Sequence, residues 1–191
     1  MFRRTPFSVL IALSLSSLAA AAPDPAVLDK VEVKGFPFRY QASNPTSAMK
    51  TDTALKDTPQ AVSVVTEQQI DDQALHGMAD VVRYVPGVGM AQGEGHRDAP
   101  VMRGNTSTGD FFSDGLRDDL QYFRDLYNVN QVEILKGPNA MIFGRGGSGG
   151  VINRVSKEAD GRDFSNVKLQ FGSDDFYRAE ADIGNTVSGT V

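Results

Sequence analysis

The chain contains no cysteine and no tryptophan, and its only histidines are His76 and His96. Without cysteine there is no disulfide framework, no thiolate zinc site and no cysteine nucleophile. Two histidines cannot build a His-rich metal centre. Positive charge is scarce as well. After Arg3 and Arg4 no Lys/Arg-rich run occurs, and the net charge is −5 over 191 residues, which argues against nucleic acid as a partner. No apolar run reaches the roughly 20 residues that a membrane-spanning helix requires. Catalytic signals are missing too. No serine sits in a nucleophile elbow, and the paired carboxylates Asp71-Asp72, Asp118-Asp119 and Asp174-Asp175 are sequence neighbours. Adjacent side chains point in different directions, so these pairs read as solvated turns and not as acid–base dyads. The expectation is a chain that is not an enzyme, has no catalytic residues and no metal site, and needs no cofactor.

Other features are present in quantity. Apolar residues make up 40% and charged residues 23%, enough for a packed core. Glycine, at 19 residues, exceeds the average share of roughly 7%, and it concentrates between 137 and 150. Residues 1–22 read as an export signal: Arg3 and Arg4 as a positive start, an apolar stretch over 7–18, then alanines at 19–22 before Pro23. That segment is set aside from the fold.

The remainder divides by pattern. Asp29, Lys30, Val31, Glu32 and Val33 alternate charge with β-branched side chains and suit a short extended segment. Residues 35–54 are rich in Pro, Ser, Thr and Asn, the composition of an irregular linker. From Pro59 the chain reads strand, helix, helix. Residues 61–65 are β-prone, and Thr66 with Gln69 has the spacing of a capping box. Gly77 is expected to end the first helix in a left-handed position. A second helix over 78–84 stops at Pro86-Gly87. Strands follow over 88–90, over 100–103 before the turn at Gly104, over 132–135 up to Gly137-Pro138, and over 151–155. Asp114-Gly115 marks a hairpin. The sum is an α+β domain with short elements and long loops. After Lys157 the pattern becomes strictly period two, over 166–171 and 177–183 with a turn at 172–175. Such a hairpin, apolar on one face and charged on the other, belongs either to a membrane β-barrel or to an ordinary surface hairpin.

Gly144-Arg145-Gly146-Gly147-Ser148-Gly149 matches G-x-G-x-x-G. A dinucleotide site requires that motif straight after a strand and opening a helix. Here the preceding strand ends several residues earlier and a strand-like Val151-Ile152-Asn153-Arg154-Val155 follows. Nor does any Gly-Lys-Ser/Thr of a P-loop occur. The glycines are expected to let backbone pass close to backbone.

Five segments, in order, resemble the plug domain of TonB-dependent siderophore receptors. They are Asp29-Lys30-Val31-Glu32-Val33, similar to a TonB box; Asp57-Thr58-Pro59-Gln60-Ala61-Val62-Ser63-Val64-Val65-Thr66 with Asp80-Val81-Val82-Arg83-Tyr84-Val85-Pro86-Gly87-Val88; Val101-Met102-Arg103-Gly104; Phe112-Ser113-Asp114-Gly115-Leu116-Arg117-Asp118; and Val132-Glu133-Ile134-Leu135-Lys136-Gly137-Pro138, running through Phe143-Gly144-Arg145-Gly146 to Gly149-Gly150-Val151-Ile152-Asn153. The stretch with Tyr122-Phe123-Arg124-Asp125-Leu126-Tyr127-Asn128 is most similar to the catecholate branch.

The resemblance implies a division into signal peptide (1–22), TonB box and linker (23–56), plug domain (57–158) and the first hairpin (159–191) of a truncated transmembrane antiparallel β-barrel. It implies a place in the outer membrane of a Gram-negative bacterium, with lipid around the full barrel and the N-terminus in the periplasm. The implied partners are the periplasmic domain of TonB, pairing with residues 29–33, and a ferric siderophore, of catecholate type, as transported ligand. Candidate siderophore contacts are His96, Arg97, Arg103, Arg117, Asp118, Gln121, Tyr122 and Tyr127; the alternative for Arg103 and Arg117 is pairing with carboxylates of the barrel wall. Pro86, Gly87, Gly104, Gly115, Gly137, Pro138, Gly144, Gly149 and Gly150 are the expected structural positions. The family's barrel has about 22 strands, far more than one hairpin, and only six residues separate Ala22 from Asp29, which leaves no room for an N-terminal signalling domain. A free-standing or decayed plug-like periplasmic module, without transport, is the rival reading.

Overall fold

The computed structural model describes residues 40–42, 50, 53–138, 140–145, 147 and 149–186. The export signal at 1–22 and the extended segment at 29–33 lie outside the described residues.

A 3₁₀ turn at Leu55–Asp57 leads into strand β1, Ala61–Thr66. Helix α1, Glu67–Asp72, starts where expected: the Thr66 hydroxyl accepts the Gln69 N–H at 3.3 Å. Its end differs from the sequence reading. The left-handed residue is Ala74, at φ 49°, and Gly77 is extended at φ −144°. Leu75 N–H reaches Ile70 O (2.9 Å) and Ala74 N–H reaches Asp71 O (3.2 Å). That is a Schellman closure with alanine where glycine is usual. Gly77 instead caps helix α2, Met78–Val82. The Asp80 carboxylate there accepts the N–H groups of His76 (3.2 Å) and Gly77 (3.3 Å). The Phe123 ring also lies against Gly77: a Cβ at 77 would sit 2.8 Å from Cζ of Phe123, so the ring would have to shift to admit a side chain.

The chain then builds two sheets. Strands β2 (Val88–Ala91), β3 (Ala99–Met102) and β4 (Asn105–Thr106) form an antiparallel meander. Strands β5 (Phe111–Ser113), β6 (Leu116–Arg117), β7 (Val129–Lys136) and β8 (Gly150–Ser156) join β1 in a sheet of order β1-β7-β8-β5-β6. All its neighbours are antiparallel except β5 and β8, so the sheet is mixed. Both two-residue turns have positive φ at both centres: Arg103 and Gly104 at 51° and 78°, Asp114 and Gly115 at 50° and 78°. This is the type I′ geometry that the Asp-Gly pair signals.

The main sheet is covered on both faces. Ile134, Ile152 and Phe111 share one face and pack with Ile70, Val81 and Val82 of the helices. Leu135, Val151 and Phe112 share the other with Phe143 of helix α3, Ala140–Phe143. Burying each such side chain contributes about 1.5–3 kcal/mol. The strand after 144–149 is β8, and no helix opens there, so the dinucleotide reading fails on geometry. Gly149 and Gly150 serve close packing as expected, since a Cβ on Gly149 would lie 2.6 Å from Met102 O and one on Gly150 would collide with Leu135 O, whereas Gly144, at φ 78°, faces open space.

The last pair, β9 (Phe164–Phe171) and β10 (Tyr177–Gly184), is inside out for a soluble protein. Val167, Leu169, Phe171, Tyr177 and Ile183 are 62–75% exposed and share one face. Lys168, Gln170, Arg178, Glu180 and Asp182 occupy the other face and are turned toward the domain. An ordinary surface hairpin buries its apolar face. This one presents it outward, as barrel strands do to lipid. Among the described residues no helix is long and apolar enough to cross a membrane, which has no bearing on strands.

Candidate ligand-facing loops and wall contact

Two loops bring most of the candidate contacts together. Residues 92–98 join β2 to β3, and residues 118–128 join β6 to β7. Arg97 donates from Nη1 to Gln121 Oε1 at 3.0 Å and lies 3.5 Å from Glu94, which is also 3.8 Å from His96. Tyr122 and Asp118 lie on the same second loop but bond each other: the Tyr122 hydroxyl donates to Asp118 Oδ2 at 2.6 Å. That oxygen also accepts Arg124 Nε (3.1 Å) and Arg154 Nη2 (2.6 Å). Burial by itself raises the Asp118 pKa. The Tyr122 hydroxyl and the two guanidiniums outweigh it and hold the carboxyl below its ordinary value. Its role here is to anchor the loop.

Arg117 is exposed, donates to Gly109 O at 2.7 Å and lies over the Phe112 ring at 5.3 Å. Arg103 stands apart at the tip of the β3–β4 hairpin, exposed, with Nη2 beside Gly137. Tyr127 also stands apart. It lines a cavity of about 710 Å³ between the β9–β10 hairpin and helix α1, with Asp71, Asn128, Lys168 and Arg178.

That cavity is flanked by ion pairs which the sequence reading missed. Arg178 of β10 bonds both oxygens of Asp125, at 2.8 and 2.6 Å. Asp125 also accepts the N–H groups of Leu126 and Tyr127. Burial raises the Asp125 pKa, but the Arg178 bonds and those backbone donors bring it below the ordinary value. Lys157 bridges Glu67 (2.8 Å) and Asp182 (2.9 Å), and Lys168 pairs with Asp71. Burial lowers the Lys157 pKa, and the Glu67 and Asp182 bonds more than restore it, leaving it raised. Charged residues alternating along 178–182 were the only available signal, since their partners lie far away in sequence. Among the described residues no cluster of His, Asp and Glu could hold a metal ion.

The family model described as TonB-dependent Receptor Plug Domain matches residues 54–151. The chain belongs to this family. The main sheet with helices α1 and α2 is therefore a plug domain, and the hairpin after it is the start of the adjoining barrel wall. The chain is 40% identical to the "Probable TonB-dependent receptor BfrD" of Bordetella pertussis, over 93% of this chain and 24% of that protein. It is 32% identical to the "Probable TonB-dependent siderophore receptor PiuA" of Acinetobacter baumannii, over 99% of this chain and 27% of that protein. The open form of the ferric-catecholate import receptor Fiu from Escherichia coli superimposes with a TM-score of 0.68 at 32% identity, over 79% of this chain and 22% of that one. The plug chain thus spans about a quarter of the length of the curated relatives it matches.

Proposed function

We propose that this plug closes the lumen of an outer-membrane barrel that takes up a ferric siderophore, and that residues 29–33 couple it to the periplasmic domain of TonB. The observation that carries the reading is the inverted hairpin. Its charged face is pinned to the plug by Arg178–Asp125 and by Lys157, while its apolar face is bare. A free-standing periplasmic module has no use for such a face. A barrel with lipid outside and a plug inside requires it. The outer membrane lacks an ATP supply, so energy must enter through a periplasmic partner. Residues 29–33, free of proline and β-branched at two positions, suit strand addition to that partner's sheet.

The ligand we assign is an anionic ferric catecholate. Arg97 and Tyr122 in the two loops, with Arg117 at the end of β6 just before the second, offer charge, a stackable plane and an aromatic ring. The ferric-catecholate import receptor Fiu, similar to this chain, supports that choice, and the siderophore receptor PiuA supports the broader ligand class. The test is equilibrium binding of radiolabelled ferric tris-catecholate to the receptor with its barrel complete. Arg97→Ala and Arg117→Ala should each weaken binding by about tenfold, or about 1.4 kcal/mol. Undiminished affinity in both variants would remove these loops from the ligand site.

A further inference from the structure

Arg124 is fully buried, and among the described residues all of its side-chain hydrogen bonds go to residues 118–122. Its Nη2 donates to the carbonyls of Asp118 (2.8 Å) and Leu120 (2.6 Å), and Nη1 donates to the carbonyl of Tyr122 (3.1 Å). Carbonyls of alternate residues thus curl around a single guanidinium. The loop has no sheet partner here, so the side chain supplies the donors that a neighbouring strand would otherwise provide. The same guanidinium lies 3.9 Å from the centre of the Phe111 ring and 4.2 Å from that of Tyr122.

Asp98, also fully buried, joins this loop to the other one. Its Oδ2 accepts the Arg124 N–H at 2.7 Å, its Oδ1 accepts Gln92 Nε2 at 3.3 Å, and its own N–H donates to Tyr122 O at 3.1 Å. Outside this stitch, Arg97 reaches Gln121. We propose that Asp98 and Arg124 are positioning residues that hold the 92–98 and 118–124 loops together as one recognition surface for the ferric ligand. The inference rests on the ligand reading above and adds to it the residues that set the surface's shape. Neither side chain touches the ligand. Arg97, Gln121 and Tyr122 are the groups presented, and their spacing is fixed from beneath.

Planarity is what Arg124 contributes. Lysine retains the charge but cannot aim donors at carbonyls of three residues and a carboxylate in one plane. In the receptor with its barrel complete, Arg124→Lys should weaken binding of labelled ferric tris-catecholate by about tenfold. A loss of stability alone could do the same, so the deciding measurement is a double-mutant cycle with Gln121→Ala. If Arg124 acts by placing Gln121 and its neighbours, the double variant should bind within about threefold of the weaker single variant. Independent losses that multiply would overturn the positioning role. If Arg97→Ala and Gln121→Ala each bind as tightly as wild type, the ligand reading itself is overturned, a result distinct from multiplying losses. Should Arg124→Lys fail to reach the membrane, Asp98→Asn carries the same cycle. It preserves shape and one acceptor oxygen, and it should weaken binding by about threefold and again fail to multiply with Gln121→Ala.

Discussion

One carboxylate oxygen organises the second loop. Asp118 Oδ2 accepts a hydroxyl and two guanidinium donors, and its pKa lies below the ordinary value because these outweigh the cost of burial. For a carboxylate depressed in the folded state, the stability it adds is full above the unfolded pKa of roughly 4 and is lost as pH falls through the folded value. Asp118→Asn should therefore cost roughly 1–3 kcal/mol at pH 7, and the stability of the variant should depend less on pH below about 4 than that of wild type. Chemical denaturation across an acid series measures both, and parallel acid profiles for the two proteins would contradict the assignment. Ala74 gives a prediction of opposite sign. Its left-handed backbone, at φ 49°, costs a non-glycine residue about 1–2 kcal/mol, partly offset by the greater freedom glycine has when unfolded. Ala74→Gly should raise stability by about 0.5 kcal/mol, visible as a shift in the denaturation midpoint.

At the scale of elements the hairpin is held mainly by charge, beside a ring contact between His76 and Phe176 at 5.6 Å. Removing the cation in Arg178→Met leaves the partly buried carboxylate of Asp125 without its bidentate partner. Amide exchange over Tyr177–Gly184 should then quicken by roughly tenfold, with β7 and β8 unaffected, since local opening follows the loss of local contacts. Unchanged protection in β10 would show that the ion pair is ornamental, as many surface pairs are. The same distinction explains what could be read in advance. Elements fixed by neighbours in sequence were legible: the Thr66–Gln69 cap, the Asp114-Gly115 turn and the alternation of the hairpin. What depends on distant partners was not. Gly77 resembled a helix stop because part of its real setting, the ring of Phe123 against it, arrives 46 positions later. Arg124 carried no local mark of burial. Its surroundings are backbone carbonyls of a loop whose path only the fold reveals. The candidate ligand residues divide in the same way: Arg97 and Gln121 meet, while Tyr127 turns to the wall cavity.

At the scale of the whole molecule, the proposed coupling asks that the plug be held by the wall and yet answer a pull from the periplasm. Residues 29–33 lie upstream of β1, whereas the proposed recognition loops and the wall contacts fall between 67 and 182. A segment that couples by strand addition works through its backbone, so the informative change is to the main chain. Val31→Pro removes one N–H donor and fixes φ, which a paired strand tolerates poorly. In the receptor with its barrel complete, this variant should lose uptake of labelled ferric tris-catecholate while its binding affinity stays within about twofold of wild type, since the ligand loops are untouched. Lys30→Ala should change uptake far less, because an exposed side chain adds little to a main-chain interaction. Normal uptake by Val31→Pro would refute the coupling role. Parallel loss of binding and uptake would mean that the substitution had damaged the fold and had not merely uncoupled it, so affinity and uptake rate must be measured on the same membranes.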